Sequence, residues 1–521
     1  MNYPMDLSRS HAPSVVISNL APSIEGGRYA AKRISGDPLD VSADVFRDGH
    51  GILAATLLVR PKGEAAWEEQ AFSPGENDRW HGRLSLFELG EWEYTIEAWE
   101  DPFLTWFHEF EKKLASLQSG ESLSTEIQEV ILLLQAAADR AANAGQTNEG
   151  QQLHDLAGSL TGQTEVQVLR LVRGVEHQDL LKRWTDRSIA TQAPIHRVVI
   201  ERERARFSAW YEFFPRSSSG SGIAHETFRD ALPRIEYAKD LGFDVIYFPP
   251  IHPIGRSFRK GKDNSLQCEP EEPGSPWAIG AAEGGHYDVH PELGTLEDFR
   301  WLVDESRKLG MEIALDFAIN CSPDHPYVSS HPDWFFQRPD GTIKYAENPP
   351  KKYQDIYPLN FHCEDWRNLW QEMVNIVLFW VDQGVHAFRV DNPHTKPVAF
   401  WEYLIGEVRE KHPEVVFLAE AFTRPRMMEM LGKIGFSQSY TYFTWRTGST
   451  ELRDYVEELT QTEVHDYFRG NFWPNTPDIL VPPLVDGNRA AFQVRAVLAA
   501  TLLPSWGIYG GFELCENQKR P

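Results

Sequence analysis

Along the first hundred residues apolar side chains recur at every second position. Val41, Ala43 and Val45 alternate with polar neighbours, as do Trp92, Tyr94, Ile96 and Ala98 in EWEYTIEAW, and a further run covers 52–59. A period of two puts one set of side chains on one face of a strand. The clusters Glu25-Gly26-Gly27, Asp48-Gly49 and Pro74-Gly75 separate the runs as turns do. A β-sandwich over 1–101 is predicted. Near Asp101-Pro102 the period lengthens to that of a helix. Phe103, Phe107, Phe110 and Leu114 form one stripe; Leu123, Ile127, Val130, Ile131, Leu134 and Ala138 form a second, with Ser122 to Glu126 suited to its capped, acidic first turn. These stripes predict a helical insertion at 102–190, in which the polar GQTNEGQQ (145–152) reads as an exposed loop. The strand-like 196–206 leads back, so 191–205 reads as a return strand to the sandwich.

From 206 to 521 apolar strands alternate with amphipathic helices. Candidate strands are 207–213, 245–248, 313–317, 387–390, 416–418, 440–443, 472–479 and 506–509. Helix patterns at 228–241 and 296–309 each end in glycine, Gly242 and Gly310, as left-handed caps do. Eight strands in this alternation match an α/β fold, the (β/α)8 TIM barrel, whose active site lies at the carboxyl ends of its strands. The rival is a doubly wound open sheet. Neither GxGxxG nor GxxxxGK[ST] follows the first strand, which counts against it.

Charge narrows the partners. The 51 Lys and Arg against 76 Asp and Glu give a formal charge of −25, a surface that repels phosphodiester backbones and anionic lipid, so no nucleic acid and no membrane partner is expected. Aromatic residues make up 12% of the chain, including 17 Trp; most must be core, and some suit stacking on sugars. The four cysteines, 268, 321, 363 and 515, are far apart and form no CxxC, which indicates neither a zinc site nor a disulfide framework. No acidic loop suggests calcium, so no metal and no cofactor is expected. The amino terminus, MNYPMDLSRSHAPSVVISN, lacks the apolar core of about 7–15 residues that a signal peptide needs. A cytoplasmic location is expected.

The strand ends carry the candidate chemistry. Asp316 ends the third strand in ALDFAINCSPDHP, Arg389 and Asp391 end the fourth in GVHAFRVDNPHTKP, Glu420 the fifth in VFLAEAFTRP, and Asp478 the seventh in WPNTPDIL. Arg389 and Asp391 are two apart on a strand and so share a face, where a guanidinium keeps a carboxylate ionised. Taken singly, an RxD at a strand end is an ordinary ion pair and each acid a solvated loop residue. In a barrel, however, all of these ends converge on one pocket. Carboxylates so placed suit retaining glycosyl transfer, in which one attacks the anomeric carbon and a second, about 5–5.5 Å away, protonates the leaving group.

These motifs resemble the α-amylase superfamily, glycoside hydrolase family 13, and within it the α-1,4-glucan:maltose-1-phosphate maltosyltransferases. The resemblance runs through VIYFPPIHPIG, PWAIG with EGGH, ALDFAINCSPDHP, YAENPPKKYQDIYPLNF, FRVDNPHTKP, FLAEAFTRP and NTPDIL. It implies Asp391 as nucleophile, Glu420 as general acid/base, Asp478 as support of the transition state and Arg389 as the residue that orients the nucleophile. The donor implied is α-maltose 1-phosphate, the acceptor the non-reducing end of an α-1,4-glucan such as glycogen, and configuration is retained with release of phosphate. Donor-binding positions match Lys260, Asn264, Asn348, Lys351, Tyr353 and Asn392. A departing phosphate beside several acids needs such cations and donors. His394 and Lys396 read as supports of the NPHTKP loop, and His286 and His325 as structural histidines. A homodimer is also implied.

The chain departs from the family pattern in places. Asn475-Thr476-Pro477-Asp478 lacks the sugar-binding histidine of amylases, as maltosyltransferases do; Ala281 stands where a serine is expected, and Asn320 where a glutamine is. Both departures bear on donor binding or specificity. The resemblance further implies a last barrel helix and a carboxyl-terminal β domain beyond Pro521, so the sequence reads as a truncated form. Two other functions fit the same motifs: an amylase-type hydrolase or glucan transglycosidase, and an inactive, truncated glucan-binding protein.

Overall fold

The structure is a computed structural model that describes residues 14–219 and 225–519. Most of the amino-terminal segment read above for a signal peptide lies outside the described residues, as does Pro521. The chain divides into two compact units, one of 14–28, 38–86 and 91–198, the other of 29–37, 87–90 and 199–519.

In the first unit the alternating runs form strands. Val15–Ala21, Pro38–Arg47, Arg79–Ser85, Glu68–Pro74, Leu53–Pro61 and Gly90–Glu100 follow one another across an antiparallel path. Val41, Ala43, Val45, Tyr94, Ile96 and Ala98 are all buried, so the period of two marks the core face. The sandwich gives way to helices at Asp101, whose carboxylate accepts from Leu104 N at 2.9 Å while Pro102 opens the first turn.

The insertion holds five helices, Pro102–Ser116, Ser124–Asn143, Thr147–Ser159, Glu165–Val172 and Val175–Arg183, around a core of its own that includes Phe103, Phe107, Phe110, Val130, Leu134 and Leu153. The expected exposed loop at 145–152 is therefore corrected: most of GQTNEGQQ belongs to the third helix. Gly150 explains how so polar a stretch packs. A Cβ there would lie 2.9 Å from the Ala138 carbonyl oxygen, so its absence lets the second and third helices approach over small residues.

The second unit is the barrel. Its eight parallel strands are Ser208–Glu212, Val245–Phe248, Glu312–Phe317, Ala387–Asp391, Val416–Glu420, Gln438–Tyr440, Gly470–Asn471 and Ser505–Tyr509. The eighth pairs with the first, and a parallel bridge from Phe472 to Trp506 closes the ring. A (β/α)8 barrel is thus formed, not the open sheet. Helices Phe228–Asp240 and Leu296–Lys308 each carry a threonine capping box, and Gly242 and Gly310 follow them with φ of +92° and +78°. Strands six and seven are shorter than expected and lie earlier in the chain: the sixth shares only Tyr440 with 440–443, and the seventh precedes 472–479. Thr441 Oγ1 accepts from Phe443 N at 3.3 Å and turns 442–444 into a 3₁₀ coil, and Pro474 and Pro477 have no N–H to extend a ladder past the seventh strand.

Inside the ring, Trp210, Val245, Tyr247, Ala314, Ala387, Leu418, Tyr440 and Trp473 pack as one cluster. This sets the phase of every strand. Residues two further on point the same way, which puts Glu212, Asp316, Arg389, Asp391 and Glu420 on the inward face at the carboxyl end. An apolar floor therefore carries a polar, acidic upper layer.

Candidate active site

Arg389 is the centre of that layer. Its Nη1 donates to Asp391 Oδ1 at 2.9 Å and to Asp316 Oδ2 at 3.0 Å, and its Nη2 lies 3.5 Å from Glu420 Oε1. Arg389, Asp391 and Asp316 are buried. Burial works against the guanidinium charge, yet Asp316, Tyr247, Glu420 and Asp391 outweigh it and hold the Arg389 pKa well above its ordinary value. Asp316 serves the arginine: burial pushes its carboxyl up to about 6 against the pull of Arg389, and Tyr247 Oη and Trp277 Nε1 donate to its Oδ2 at 2.5 and 3.2 Å.

Asp391 and Glu420 are register partners on adjacent parallel strands. Such strands run about 4.8 Å apart, so the two side chains rise from neighbouring positions, as the close carboxyl pair of a retaining enzyme requires. The two acids differ in surroundings. Burial, opposed by Arg389 and helped by Asp391, raises Glu420 to about 7, which suits an acid that gives and takes a proton near neutrality. Asp391 instead collects donors, with Asn392 Nδ2 at 3.4 Å from Oδ1 and Asn320 Nδ2 at 3.3 Å from Oδ2 in addition to the arginine. Asn392 has left-handed backbone (φ 43°, ψ 53°), and its N–H donates to Glu420 Oε2 at 3.1 Å. Lys396 Nζ donates to the Asp391 and Asn392 carbonyls at 3.3 and 3.4 Å, which ties down the loop after Asp391. Half-buried His394 makes no such tie, and its Nδ1 is without a partner among the described residues.

Asp478 lies seven residues past the end of the seventh strand rather than at it, and is exposed. Its loop is fixed nonetheless: Asn475 exchanges hydrogen bonds of 3.2 and 3.1 Å with the Tyr509 backbone, and Thr476 and Ile479 bond across the turn. Its charge contributes to the environment of Glu212 in the barrel mouth.

Four of the expected donor-binding residues come together. Asn348, Lys351 and Tyr353 lie on the hairpin Ala346–Asn348 and Lys351–Tyr353, and buried Lys260 donates to Gln354 Oε1 at 2.8 Å just beyond it. Asn264 ends a separate exposed turn with φ 61°, and among the described residues no side-chain hydrogen bond joins it to the hairpin. Ala281 is buried in the tight 281–284 turn. His286 and His325 are satisfied by each other and the backbone: His325 Nδ1 accepts from Tyr327 N, the facing ring nitrogens are 3.0 Å apart, and His286 Nε2 meets Ala318 O at 3.0 Å. Together with Cys321 they have ligand atoms within 4.8 Å of one another, but a metal there would have to displace these bonds. Burial holds both rings below their ordinary pKa.

Reading the sequence missed Glu212. It is 2% exposed, its Oε2 has no partner among the described residues, and burial, against Arg389 and with Asp316, Asp478 and Glu420, raises its pKa well above the ordinary carboxyl value. The signal was available, since it ends the first strand two residues after inward-facing Trp210.

Comparison with known proteins follows the same division of the chain. Residues 13–202 match the family model described as alpha-1,4-glucan:maltose-1-phosphate maltosyltransferase, domain N/S, and residues 227–362 match the alpha amylase catalytic domain. A Myxococcus xanthus protein named alpha-1,4-glucan:maltose-1-phosphate maltosyltransferase is 50% identical over 513 residues, 98% of this chain and 77% of that protein. A Chlorobaculum tepidum protein of the same name is 48% identical over 97% of this chain and 75% of its own. Among solved structures, an alpha-amylase from Lactobacillus plantarum covers 61% of this chain and 74% of its own at 26% identity, with a TM-score of 0.48.

Proposed function

The chain belongs to the α-1,4-glucan:maltose-1-phosphate maltosyltransferases, and on that premise we propose that it moves a maltosyl unit from α-maltose 1-phosphate to the non-reducing end of an α-1,4-glucan. Asp391 attacks the anomeric carbon as the bond to the phosphate oxygen breaks, giving a β-maltosyl enzyme; Glu420 protonates the leaving oxygen. Glu420 then takes the proton of the acceptor's 4-hydroxyl, which attacks the anomeric carbon and frees Asp391, so the configuration is retained. Arg389 orients Asp391 and draws charge from it, and Asp478 meets the ring hydroxyls. Lys260, Asn264, Asn348, Lys351, Tyr353 and Asn392 receive the donor. The observation that carries these roles is the register of Asp391 beside Glu420 with one guanidinium reaching both.

In this reading 1–101 with the returning 191–205 is the sandwich, 102–190 its insertion, and 206–521 the catalytic barrel. A cytoplasmic homodimer fits it; no helix among the described residues is long and apolar enough to cross a membrane. The test is to incubate the protein with a maltooligosaccharide, with and without maltose 1-phosphate, and to follow phosphate and glucan length. Donor-dependent phosphate release, lost in Asp391→Ala, is expected. Breakdown of amylose without donor would instead mark a hydrolase or transglycosidase, and glucan binding with neither reaction an inactive binding protein.

A further inference from the structure

The nucleophile's two oxygens are held by different parts of the fold. Oδ1 takes Arg389 at 2.9 Å, from its own strand, and Asn392 at 3.4 Å, from the residue after it. Oδ2 takes Asn320 at 3.3 Å, from the loop after the third strand. Among the described residues, only this contact reaches Asp391 from outside the fourth strand and its loop through a neutral side chain.

Asn320 is not isolated on its loop. Asn320–Cys321 pairs antiparallel with Tyr357–Pro358, Asn320 opposite Pro358. The Tyr357–Pro358 strand continues directly from the hairpin that carries Asn348, Lys351 and Tyr353, and Ile356 bonds into that hairpin twice, its carbonyl accepting from Ala346 N at 2.8 Å and its N–H donating to Tyr353 O at 3.1 Å. Lys260 grips the same segment through Gln354. A short run of main-chain pairing therefore links the hairpin to the amide that touches the attacking carboxylate. Arg389 and Asn392, by contrast, would hold Oδ1 whatever the hairpin did.

We propose that Asn320 is a positioning residue that couples the donor hairpin to the nucleophile, its amide aiming Oδ2 of Asp391 at the anomeric carbon when the hairpin is in place. This rests on the functional reading above for the identity of the donor. Oδ2 is the oxygen that attacks, since Oδ1 is shared between two donors and Oδ2 keeps more of its electron density for the new bond. An amide suits the position because it donates without adding charge to a site that holds several acids already.

Kinetics of phosphate release in three variants test the coupling. Asn320→Ala is expected to lose about tenfold to a hundredfold in kcat/KM for maltose 1-phosphate at unchanged melting temperature, the scale of one hydrogen bond to a charged group. Asn320→Gln restores the amide and recovers most of that loss. Asn320→Asp sets a second carboxylate against Oδ2 and moves the acid limb of the kcat/KM profile to higher pH, a shift that a merely structural role would not cause. The proposal is overturned if Asn320→Ala stays within about threefold of the parent, or if the acid limb of Asn320→Asp does not move. Intact-mass trapping with 2-deoxy-2-fluoro-α-maltosyl fluoride, a donor without phosphate, separates the two readings. If the parent chain traps the sugar but releases no phosphate from maltose 1-phosphate, the functional reading fails, and slower trapping in Asn320→Ala still supports Asn320 as the residue that aims Asp391. Equal trapping rates in parent and variant overturn that role.

Discussion

Replacing Arg389 with methionine removes the guanidinium that pairs with Asp391, Asp316 and Glu420 and leaves Lys396 as a further cation acting on the same three acids. The volume is roughly kept, so the effect is electrostatic. Removing one partner of a buried ion pair costs about 3–5 kcal/mol, because the other charge is left without compensation. The carboxyls can escape by taking up protons, and this fixes the pH dependence. Burial already raises Asp316 to about 6 in spite of Arg389, against about 3.9 when unfolded. A group whose folded pKa is raised contributes stability that is fully present below the unfolded value and is lost as pH rises through the folded one; over about two pH units this is about 3 kcal/mol. Without the guanidinium the folded value climbs further, so the loss continues past neutrality. Unfolding followed by heat or urea at pH 5 and pH 8 therefore shows a small deficit at the lower pH and about 3–5 kcal/mol at the higher, roughly 5–10 °C in melting temperature. Phosphate release is lost at both. A deficit equal at the two pH values, or below about 1 kcal/mol at pH 8, would refute the view that Arg389 neutralises this layer.

Two further outcomes follow from the same geometry. With Glu420 near 7, kcat/KM for the donor falls about tenfold per pH unit on the alkaline side; Glu420→Gln removes that limb and slows transfer, and azide restores turnover as α-maltosyl azide by attacking the β-linked intermediate. An alkaline limb that survives in Glu420→Gln assigns it to another group. At Gly507 a Cβ would lie 2.4 Å from the Trp473 ring, so Gly507→Ala overpacks the barrel interior and costs about 1–3 kcal/mol in thermal unfolding; a neutral result would mean that Trp473 is free to move.

The barrel was legible because its strands are continuous apolar runs, and because the acids stand where those runs end. Arg389 and Asp391 could be paired from spacing alone, since strand alternation decides which side chains share a face; Glu420 joined them only once the strands were read as a barrel whose ends converge. Strand seven was placed too late: 472–479 was expected, whereas the strand is Gly470–Asn471 with a bridge at Phe472, and Pro474 and Pro477 in WPNTPDIL have no N–H to carry the ladder further. GQTNEGQQ read as a loop because composition does not show that Gly150 admits a neighbouring helix. Glu212 passed unnoticed as an acid inside the run SAWYEFF, although the strand-end criterion applied to its neighbours covers it equally. The contact of Asn320 with Asp391 joins residues 71 apart in sequence. No local pattern encodes it, and the departure at that position was read as a change in donor binding rather than as a contact with Asp391.

The left-handed backbone at Asn392 has a consequence for how the site can vary by mutation. The group that steadies Glu420 there is a main-chain N–H, and nineteen of the twenty amino acids carry one. Only proline deletes it. Other replacements act through the cost of the positive φ, on the order of 1–2 kcal/mol for most side chains and little for glycine, asparagine or aspartate. Of these three, aspartate would add a charge beside Asp391. Conformation and charge together therefore narrow drift at this codon to asparagine and glycine; glycine gives up the Nδ2 donor to Asp391, while the main-chain partner of Glu420 is kept by the shape of the chain.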